Sequence, residues 1–319
     1  MTAREKVQHR RRVVAIAGAA LALGALVGGA AAGAGGAGGG GSVRAPAGAK
    51  GAAAATPRPP QLPRGGRDIL PRYRVVAYYG NPQAAELGTL GIGTPNAAVQ
   101  RLERQAKPYG AGGRPVLPAL ELIAVVAARD PGDGGRYDTR ADDATIASYL
   151  AAARRAKAVL LLDIQPGRSD FLTEARRLEK WLALPDVGLA LDPEWRVSAG
   201  QVPGQVIGRV DAAEVNATTE WLESVMTAHD LPQKLVVIHQ FTDDMVDEQA
   251  LVPRRGEAIV LNADGFGGQA IKRAKYRRFT RQAPGFAPGF KLFYKEDVGL
   301  MTPAQVLRLR PPPDFVVYE

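Results

Sequence analysis

Acidic side chains stand at the points where short apolar runs of this sequence turn polar. The clearest case is Asp192-Pro193-Glu194-Trp195, which directly follows the apolar run 187–191. Alternate residues of a strand share a face, so Asp192 and Glu194 would point to the same side. Like-charged neighbours raise each other's pKa, and partial burial beside Trp195 would add to that effect. These residue types at this spacing predict that Glu194 is a general acid, with Asp192 beside it.

Polar and aromatic side chains end most of the other apolar runs as well. Flat aromatic faces, together with hydrogen-bonding amides and carboxylates, are typical of a sugar-binding pocket. We predict Glu296 as a second catalytic carboxylate. The predicted substrate-binding set comprises Tyr79, Asn81, Asp163, Gln165, Trp195, His239, Gln240, Asn262, Asp264 and Tyr294. The sequence leaves open whether some of these aromatic residues, and the histidine, serve only in packing.

Eight apolar, β-branched runs are the elements that would position these residues. They alternate with amphipathic helical patterns, which is the form of repeated βα units with a parallel sheet. The predicted strands are 74–79, 116–123, 158–164, 187–191, 234–239, 258–262, 290–294 and 314–318. The predicted helices are 94–107, 142–156, 170–184, 212–229, 268–281 and 302–309, with a weaker helical pattern over 243–251.

The fold class predicted from this alternation is α/β, a single (β/α)8 TIM-like barrel spanning residues 73–319. A doubly wound open sheet is the competing fold, but the first run is not followed by the Gly-rich phosphate loop of that class. In α/β barrels the catalytic groups come from the carboxyl ends of the strands. The acids and amides of this sequence would meet at that end of the barrel.

The carboxylates at the ends of the fourth and seventh predicted strands, Glu194 and Glu296, resemble those of the (β/α)8 retaining glycoside hydrolases. That resemblance implies Glu194 as acid/base, Glu296 as nucleophile and a polysaccharide as substrate. Those enzymes generally carry Asn before the strand-four Glu, whereas this chain has Pro193. The spacing of Asp192 and Glu194 also resembles the end of the chitinase-type motif, in which the Asp supports the acid Glu and the substrate's acetamido group is the nucleophile.

Two other functions stay open at the level of the sequence. A non-catalytic carbohydrate-binding or wall-associated barrel would keep the aromatic residues and amides without needing a tuned acid pair. A Mg²⁺- or Ca²⁺-dependent hydrolase could use oxygens from Asp163, Asp192, Glu194 and Asp264, although we predict no metal site. The sequence has no cysteine and no His-x-His or His-Glu-x-x-His motif, which argues against a zinc site. Gly-x-Ser-x-Gly and phosphate-loop motifs are absent too, and no cofactor is predicted.

The formal net charge of +9 is concentrated near the N-terminus. Residues 1–72 hold eleven basic residues against Glu5 and Asp68, so residues 73–319 are formally neutral. The predicted barrel has no general basic field for a phosphate backbone, and nucleic acid is not an expected partner. A polysaccharide or cell-envelope glycan is expected instead. The sequence indicates no oligomeric state.

The N-terminal region has the composition of an export signal followed by a linker. Three arginines at positions 10–12 precede the uncharged run 13–32, which is typical of an export signal or an uncleaved membrane anchor over residues 1–32. Residues 33–72 are rich in Gly, Ala and Pro, which predicts a disordered linker. Ordinary secretion is favoured over the twin-arginine route. The arrangement resembles exported actinobacterial proteins and predicts an extracytoplasmic location, secreted or anchored through residues 13–32.

Overall fold

The computed structural model describes residues 59–132, 134–253 and 256–319. Eight parallel strands in these residues close into a barrel, with helices between them on the outside. The strands are β1 (Arg74–Gly80), β2 (Val116–Ala127), β3 (Val159–Ile164), β4 (Val187–Leu191), β5 (Leu235–Gln240), β6 (Ala258–Ala263), β7 (Ala287–Leu292) and β8 (Phe315–Tyr318). Each strand pairs with the next along the chain and β8 returns to β1, which confirms the predicted TIM-like α/β barrel fold.

Strand β7 lies earlier in the chain than the sequence predicts, over Ala287–Leu292 rather than 290–294. Its start contains Pro288-Gly289, a pair typical of turns, and this composition hides the strand. Gly289 is needed there because a Cβ would lie 2.7 Å from Val260 Cγ1 on the neighbouring strand β6. Since β7 ends at Leu292, the residue that it sends into the barrel near its carboxyl end is Lys291.

Helices cover the outer face of the barrel. In the described residues they are α1 (Pro95–Ala106), α2 (Asp143–Arg155), α3 (Phe171–Arg177), α4 (Glu179–Leu182), α5 (Ala212–Ala228), α6 (Gln269–Gln282) and α7 (Pro303–Leu307). A side-chain oxygen at the N-cap accepts the backbone N–H three residues later in five of them, which satisfies one of the free donors of the first turn. These caps are Thr94, Asp142, Asp170, Asp211 and Thr302.

Two helix predictions differ from the structure. The helix predicted over 170–184 is divided into α3 and α4. The helix predicted from the weak pattern over 243–251 is wrong. This segment contains the short strand Val246–Asp247, followed by a single 3-10 turn, Gln249–Leu251. Val246–Asp247 pairs in parallel with Val210–Asp211, and burial of both valines in this pairing decides the local structure. Long-range pairing of this kind is not visible in local periodicity.

Two apolar layers hold the barrel together. Alternate strand residues point inward, and those in the lower and middle levels of the interior are Val, Ala and Leu, such as Val75, Ala119 and Val237. The residues between them point outward and pack against the helices, as Val76, Leu120 and Ile238 do. The interior therefore becomes polar only toward the carboxyl ends of the strands.

Residues 59–72 close the opposite, amino-terminal end of the barrel. Leu62 and Ile69 are buried and join the interior apolar cluster. The side-chain oxygen of Gln233 accepts the backbone N–H groups of Ile69 and Leu70, at 2.8 and 3.0 Å. The disordered linker predicted for residues 33–72 therefore does not extend over residues 59–72. Three apolar residues, Leu62, Ile69 and Leu70, in a Pro- and Gly-rich segment form no periodic pattern, which is why composition misassigned this part.

The predicted export signal or anchor, residues 1–32, and the linker up to residue 58 lie outside the described residues. Within the part of the chain that the structure describes, no helix combines the length and hydrophobicity needed to cross a bilayer.

Candidate active site

A layer of polar side chains lies at the carboxyl end of the barrel interior. Each of the eight strands, or the residue directly after it, contributes one member, and all of these side chains are largely buried. In strand order they are Tyr79, Glu121, Asp163, Asp192, His239, Asn262, Lys291 and Glu319. The layer combines five carboxyl-bearing and amide residues with a lysine, a histidine and a tyrosine. Such a concentration of buried polar groups requires partners.

An open pocket of about 500 Å³ lies above this layer. Its walls combine apolar and aromatic side chains with acids, amides and one amine. The lining residues are Tyr79, Leu87, Ile123, Gln165, Asp192, Glu194, Trp195, Phe241, Asp264, Gly265, Phe266, Lys291 and Glu319. An apolar wall with a few converging polar groups is the usual lining of a ligand pocket.

His239 is held between two carboxylates in the polar layer. Its Nε2 lies 2.9 Å from Glu121 Oε1, and its Nδ1 lies 3.0 Å from Asp264 Oδ2. Burial lowers the pKa of His239, but the Glu121 charge and the hydrogen bonds to Asp264 and Glu121 outweigh this effect and raise the pKa well above its ordinary value. Each ring nitrogen of His239 therefore faces a carboxylate oxygen.

Lys291 is a buried cation of the site. Its Nζ lies 3.0 Å from Asp264 Oδ2 and 2.9 Å from Glu319 Oε2, and it sits 3.9 Å from the ring centre of Tyr79. Burial alone would raise the pKa of Asp264, but Lys291 and His239 lower it below its ordinary value. Asp264 Oδ1 also accepts the backbone N–H of Gly265 at 2.6 Å. Asp264 is thus a fixed anion whose two oxygens are occupied by hydrogen bonds.

Asp192 has the opposite electrostatic character. It is 4% exposed and lines the pocket. Burial raises its pKa, His239 and Lys291 oppose that rise, and the neighbouring charges of Glu194 and Asp264 add to it, giving a pKa of about 7. A carboxyl group with this pKa is substantially protonated at neutral pH while still able to lose its proton.

Asp163 lies deeper, beside Tyr79 and Gln165. The Tyr79 hydroxyl donates to Asp163 Oδ2 at 3.2 Å and accepts from Gln165 Nε2 at 3.0 Å. Burial raises the pKa of Asp163 well above its ordinary value. Asp163 Oδ1, Glu121 and His239 offer possible metal-ligand atoms that all lie within 4.8 Å of one another.

Most of the residues predicted from the sequence meet in this region. The structure brings nine of them into the pocket wall or the polar layer beneath it: Tyr79, Asp163, Gln165, Asp192, Glu194, Trp195, His239, Asn262 and Asp264. Glu194 is half-buried in the pocket wall, at the mouth side of the buried Asp192. This pair is therefore arranged with Asp192 as the deeper member.

Four predicted residues lie elsewhere. Asn81 donates from Nδ2 to the Ile123 carbonyl at 2.8 Å, and Gln240 accepts from Gln249 Nε2 at 2.7 Å, so both brace the backbone or a loop. Tyr294 stacks on the ring of Tyr318 with centroids 5.3 Å apart. Tyr294 and Glu296 line a separate pocket. The structure therefore does not place Glu296 in the pocket of Glu194, because β7 ends four residues before it.

Three charged members of the site were missing from the predicted set. Glu121 and Lys291 each stand alone among apolar neighbours in a buried strand, and such an isolated charge within an apolar run was the available signal. Glu319 follows the last strand and contacts Lys291. Phe241 and Phe266, which complete the apolar walls of the pocket, follow β5 and β6.

The chain matches no model of a known protein family and no curated protein. TIM-like barrels host many unrelated reactions, so the fold does not by itself assign an activity. The chemistry of the pocket is what can indicate one.

Proposed function

We propose that this protein is a glycosidase-like hydrolase that cleaves a polysaccharide by carboxylate acid–base chemistry, with Asp192 as the general acid. The observation that carries the proposal is the burial of Asp192 in the wall of an open pocket, an environment that raises its pKa to about 7. A general acid works best when its pKa lies near the working pH, because it then carries a proton and can still release it. Cleavage of a glycosidic bond needs such a donor for the leaving oxygen.

Glu194 is the partner carboxylate in this proposal. It lines the same pocket two residues after Asp192 and is more exposed to solvent. It would activate water or attack the sugar, while Asp192 supplies the proton. The roles are reversed with respect to the sequence-based prediction because Asp192 is the more deeply buried of the two. Asp264 is unsuited to either step, since its oxygens already accept from His239, Lys291 and Gly265.

The pocket walls support a sugar as the substrate. Trp195, Phe241 and Phe266 offer apolar surfaces beside the acids, and Gln165 provides an amide for hydroxyl groups. Pyranose rings combine apolar faces with hydroxyl edges and match such a mixed lining. A glycan of the cell envelope fits the extracytoplasmic location that residues 1–32 predict, where those residues would export or anchor the chain.

The decisive experiment is a Michaelis–Menten comparison of wild type and Asp192→Asn. The purified protein is first screened on bacterial wall polysaccharides and arylglycosides. We expect Asp192→Asn to lower kcat by at least about 100-fold with substrate binding retained, because the amide preserves shape but has no transferable acidic proton. Asp143→Asn, which changes an exposed carboxylate on α2, is the matched control and keeps wild-type kcat. Full activity of Asp192→Asn would exclude Asp192 as the acid.

A non-catalytic carbohydrate-binding barrel is the second candidate. It is favoured by the position of Glu296 outside the pocket and by Lys291 at the carboxyl end of β7, where the retaining-hydrolase pattern would need a carboxylate. This candidate predicts that wild type binds a glycan of the panel without releasing any product. Product release by wild type that is lost in Asp192→Asn would exclude it.

A further inference from the structure

Two carboxylate oxygens beneath the pocket are buried without a hydrogen-bond partner. They are Glu121 Oε2 and Asp163 Oδ1, and both side chains are fully buried. Asn262 Oδ1, in the same polar layer, is also buried and without a partner. Buried acceptors are nearly always satisfied in folded proteins, because an unpaired one forfeits its hydration without replacement. Glu121 and Asp163 both face His239 Nε2, which points to a ligand there that supplies positive charge.

The positions of the neighbouring donor atoms fit a single metal ion. His239 Nε2 lies 2.9 Å from Glu121 Oε1 and 4.0 Å from Asp163 Oδ1. With metal–ligand bonds of about 2.0 to 2.2 Å, adjacent ligands of a six-coordinate ion are about 3 Å apart and opposite ligands about 4 Å apart. Both measured separations match this geometry, and all three ligand atoms lie within 4.8 Å of one another, which brings them within reach of one ion.

The orientation of the histidine supports the same conclusion. His239 Nδ1 is directed at Asp264 Oδ2, and Asp264 is held in place by Lys291 and the Gly265 backbone. A carboxylate that accepts the far ring N–H fixes the tautomer and leaves Nε2 as a ligand, which is the usual arrangement around metal-bound histidine. Nε2 is the ring atom that faces Glu121 and Asp163.

The balance of charge leaves room for a cation. Lys291 pairs with Asp264 and Glu319. In the described part of the chain, the ion pairs of Glu121 and Asp163 are to His239 alone, with no Lys or Arg partner. Two carboxylates that share one imidazole are under-compensated in a buried site.

We infer that Glu121, Asp163 and His239 form a binding site for one divalent transition-metal ion in the barrel interior. A mixed set of carboxylates and one imidazole suits Mn²⁺ or Zn²⁺, whereas Mg²⁺ and Ca²⁺ prefer oxygen ligands alone. The site lies below the pocket of Asp192 and Glu194 and uses neither of them. Its ligands are 42 or more residues apart in the sequence, so they form no local metal-binding motif.

Manganese binding to the purified full chain tests this site directly. After removal of metal with a chelator, wild type is titrated with Mn²⁺ and the free ion is followed by electron paramagnetic resonance. We expect one tightly bound Mn²⁺ per chain and a nitrogen coupling to the bound ion from the histidine ligand. Glu121→Gln and Asp163→Asn each weaken binding by more than about tenfold, since changes even outside the ligand set have effects of that size. Asp143→Asn, an exposed carboxylate far from the barrel interior, leaves binding unchanged.

Three results would overturn the inference. The first is that wild type binds no stoichiometric Mn²⁺. The second is that Mn²⁺ binds but shows no nitrogen coupling. The third is that both Glu121→Gln and Asp163→Asn bind Mn²⁺ with wild-type affinity. Should either variant fail to fold, the nitrogen coupling in wild type decides the question. Competition by Zn²⁺ for the same stoichiometric site would support it further. These readouts need no substrate, so they are independent of the hydrolase assay with Asp192→Asn.

Discussion

At the scale of single residues, two carboxyl groups of one pocket are tuned in opposite directions. Asp192 and Asp264 are both buried, and burial raises the pKa of each. Only Asp264 has direct hydrogen bonds from Lys291 and His239, and these reverse the shift so that its pKa is lowered. One carboxyl group is thereby kept as a proton donor and the other as a permanent anion, a division of roles that is typical of acid–base sites.

The pKa of Asp192 leads to a prediction for the pH dependence of hydrolysis. The general acid must carry its proton. Below about pH 7 Asp192 is protonated, so its ionisation should not lower kcat/KM there. It should fall toward tenfold per pH unit above about pH 7, where Asp192 becomes ionised. Burial lowers the pKa of His239, but the Glu121 charge and the hydrogen bonds to Asp264 and Glu121 outweigh it and raise this pKa well above its ordinary value, so His239 titrates outside this window. Measurement of kcat/KM from pH 5 to pH 9 tests this, and a flat profile from pH 6 to 9 would contradict it.

Lys291 is expected to stabilise the folded protein. Its amine is buried between Asp264 and Glu319, so Lys291→Met removes the cation that these two carboxylates share. Breaking a buried ion pair from one side costs about 3 to 5 kcal/mol, and we expect a loss of this size in denaturant unfolding at pH 7. Lys295→Met, at an exposed position of the following loop, is the matched control and should change stability by less than about 0.5 kcal/mol. Equal stability of the two variants would show that Lys291 is not needed as a cation.

The sequence indicates the pocket through residue type and spacing, but not the role of each residue. The two-residue spacing of Asp192 and Glu194, with Trp195 next to them, is visible in a single chain, and these residues share one pocket in the structure. Which carboxyl group is the acid depends on depth below the surface, which spacing does not reveal. Lys291 was missed because its partners, Asp264 and Glu319, come from other strands.

At the scale of elements, short buried strands were predictable where the apolar run was uninterrupted. Strand β4, Val187–Leu191, has the predicted bounds. Strand β7 was misplaced because Pro288-Gly289 looks like a turn until the close contact with β6 is known. The segment 243–251 was misassigned for a related reason, since Val246 pairs with Val210 rather than following its own periodicity. In both cases a partner distant in sequence decides the local structure.

Residues 59–72 are expected to contribute to the stability of the barrel, because Leu62 and Ile69 join its interior apolar cluster. Ile69 is 2% exposed and fills the amino-terminal end of the barrel, although composition assigns it to a linker. Ile69→Ala should lower the free energy of unfolding by about 2 to 4 kcal/mol, because it leaves a cavity against the interior cluster. Ile271→Ala, at a position that is 50% exposed on α6, is the matched control and should have a much smaller effect. Equal effects in chemical denaturation would mean that the segment is not part of the folded barrel.

At the scale of the whole molecule, charge is divided between two parts of the chain. The excess of basic over acidic residues lies within residues 1–72, and residues 73–319 are formally neutral. The ion pairs around Lys291 and His239 are buried in the barrel interior rather than on its surface. Attraction to an anionic surface is therefore expected from the N-terminal region, while the barrel is free to bind a neutral glycan.

This division predicts how the chain behaves with membranes. Residues 1–58 hold eight basic residues against Glu5, and each basic residue near an anionic surface contributes up to about 1 kcal/mol. The full chain should sediment with vesicles of phosphatidylglycerol, whereas a fragment of residues 59–319 should bind them at least about tenfold more weakly. Because salt screens exposed charges beyond about 10 Å at 0.1 M, purely electrostatic binding of the full chain should be lost at high salt. Binding that survives high salt and extends to phosphatidylcholine vesicles would instead indicate insertion of the apolar run 13–32, and equal binding of the fragment would contradict the assignment of the charge to the N-terminal region.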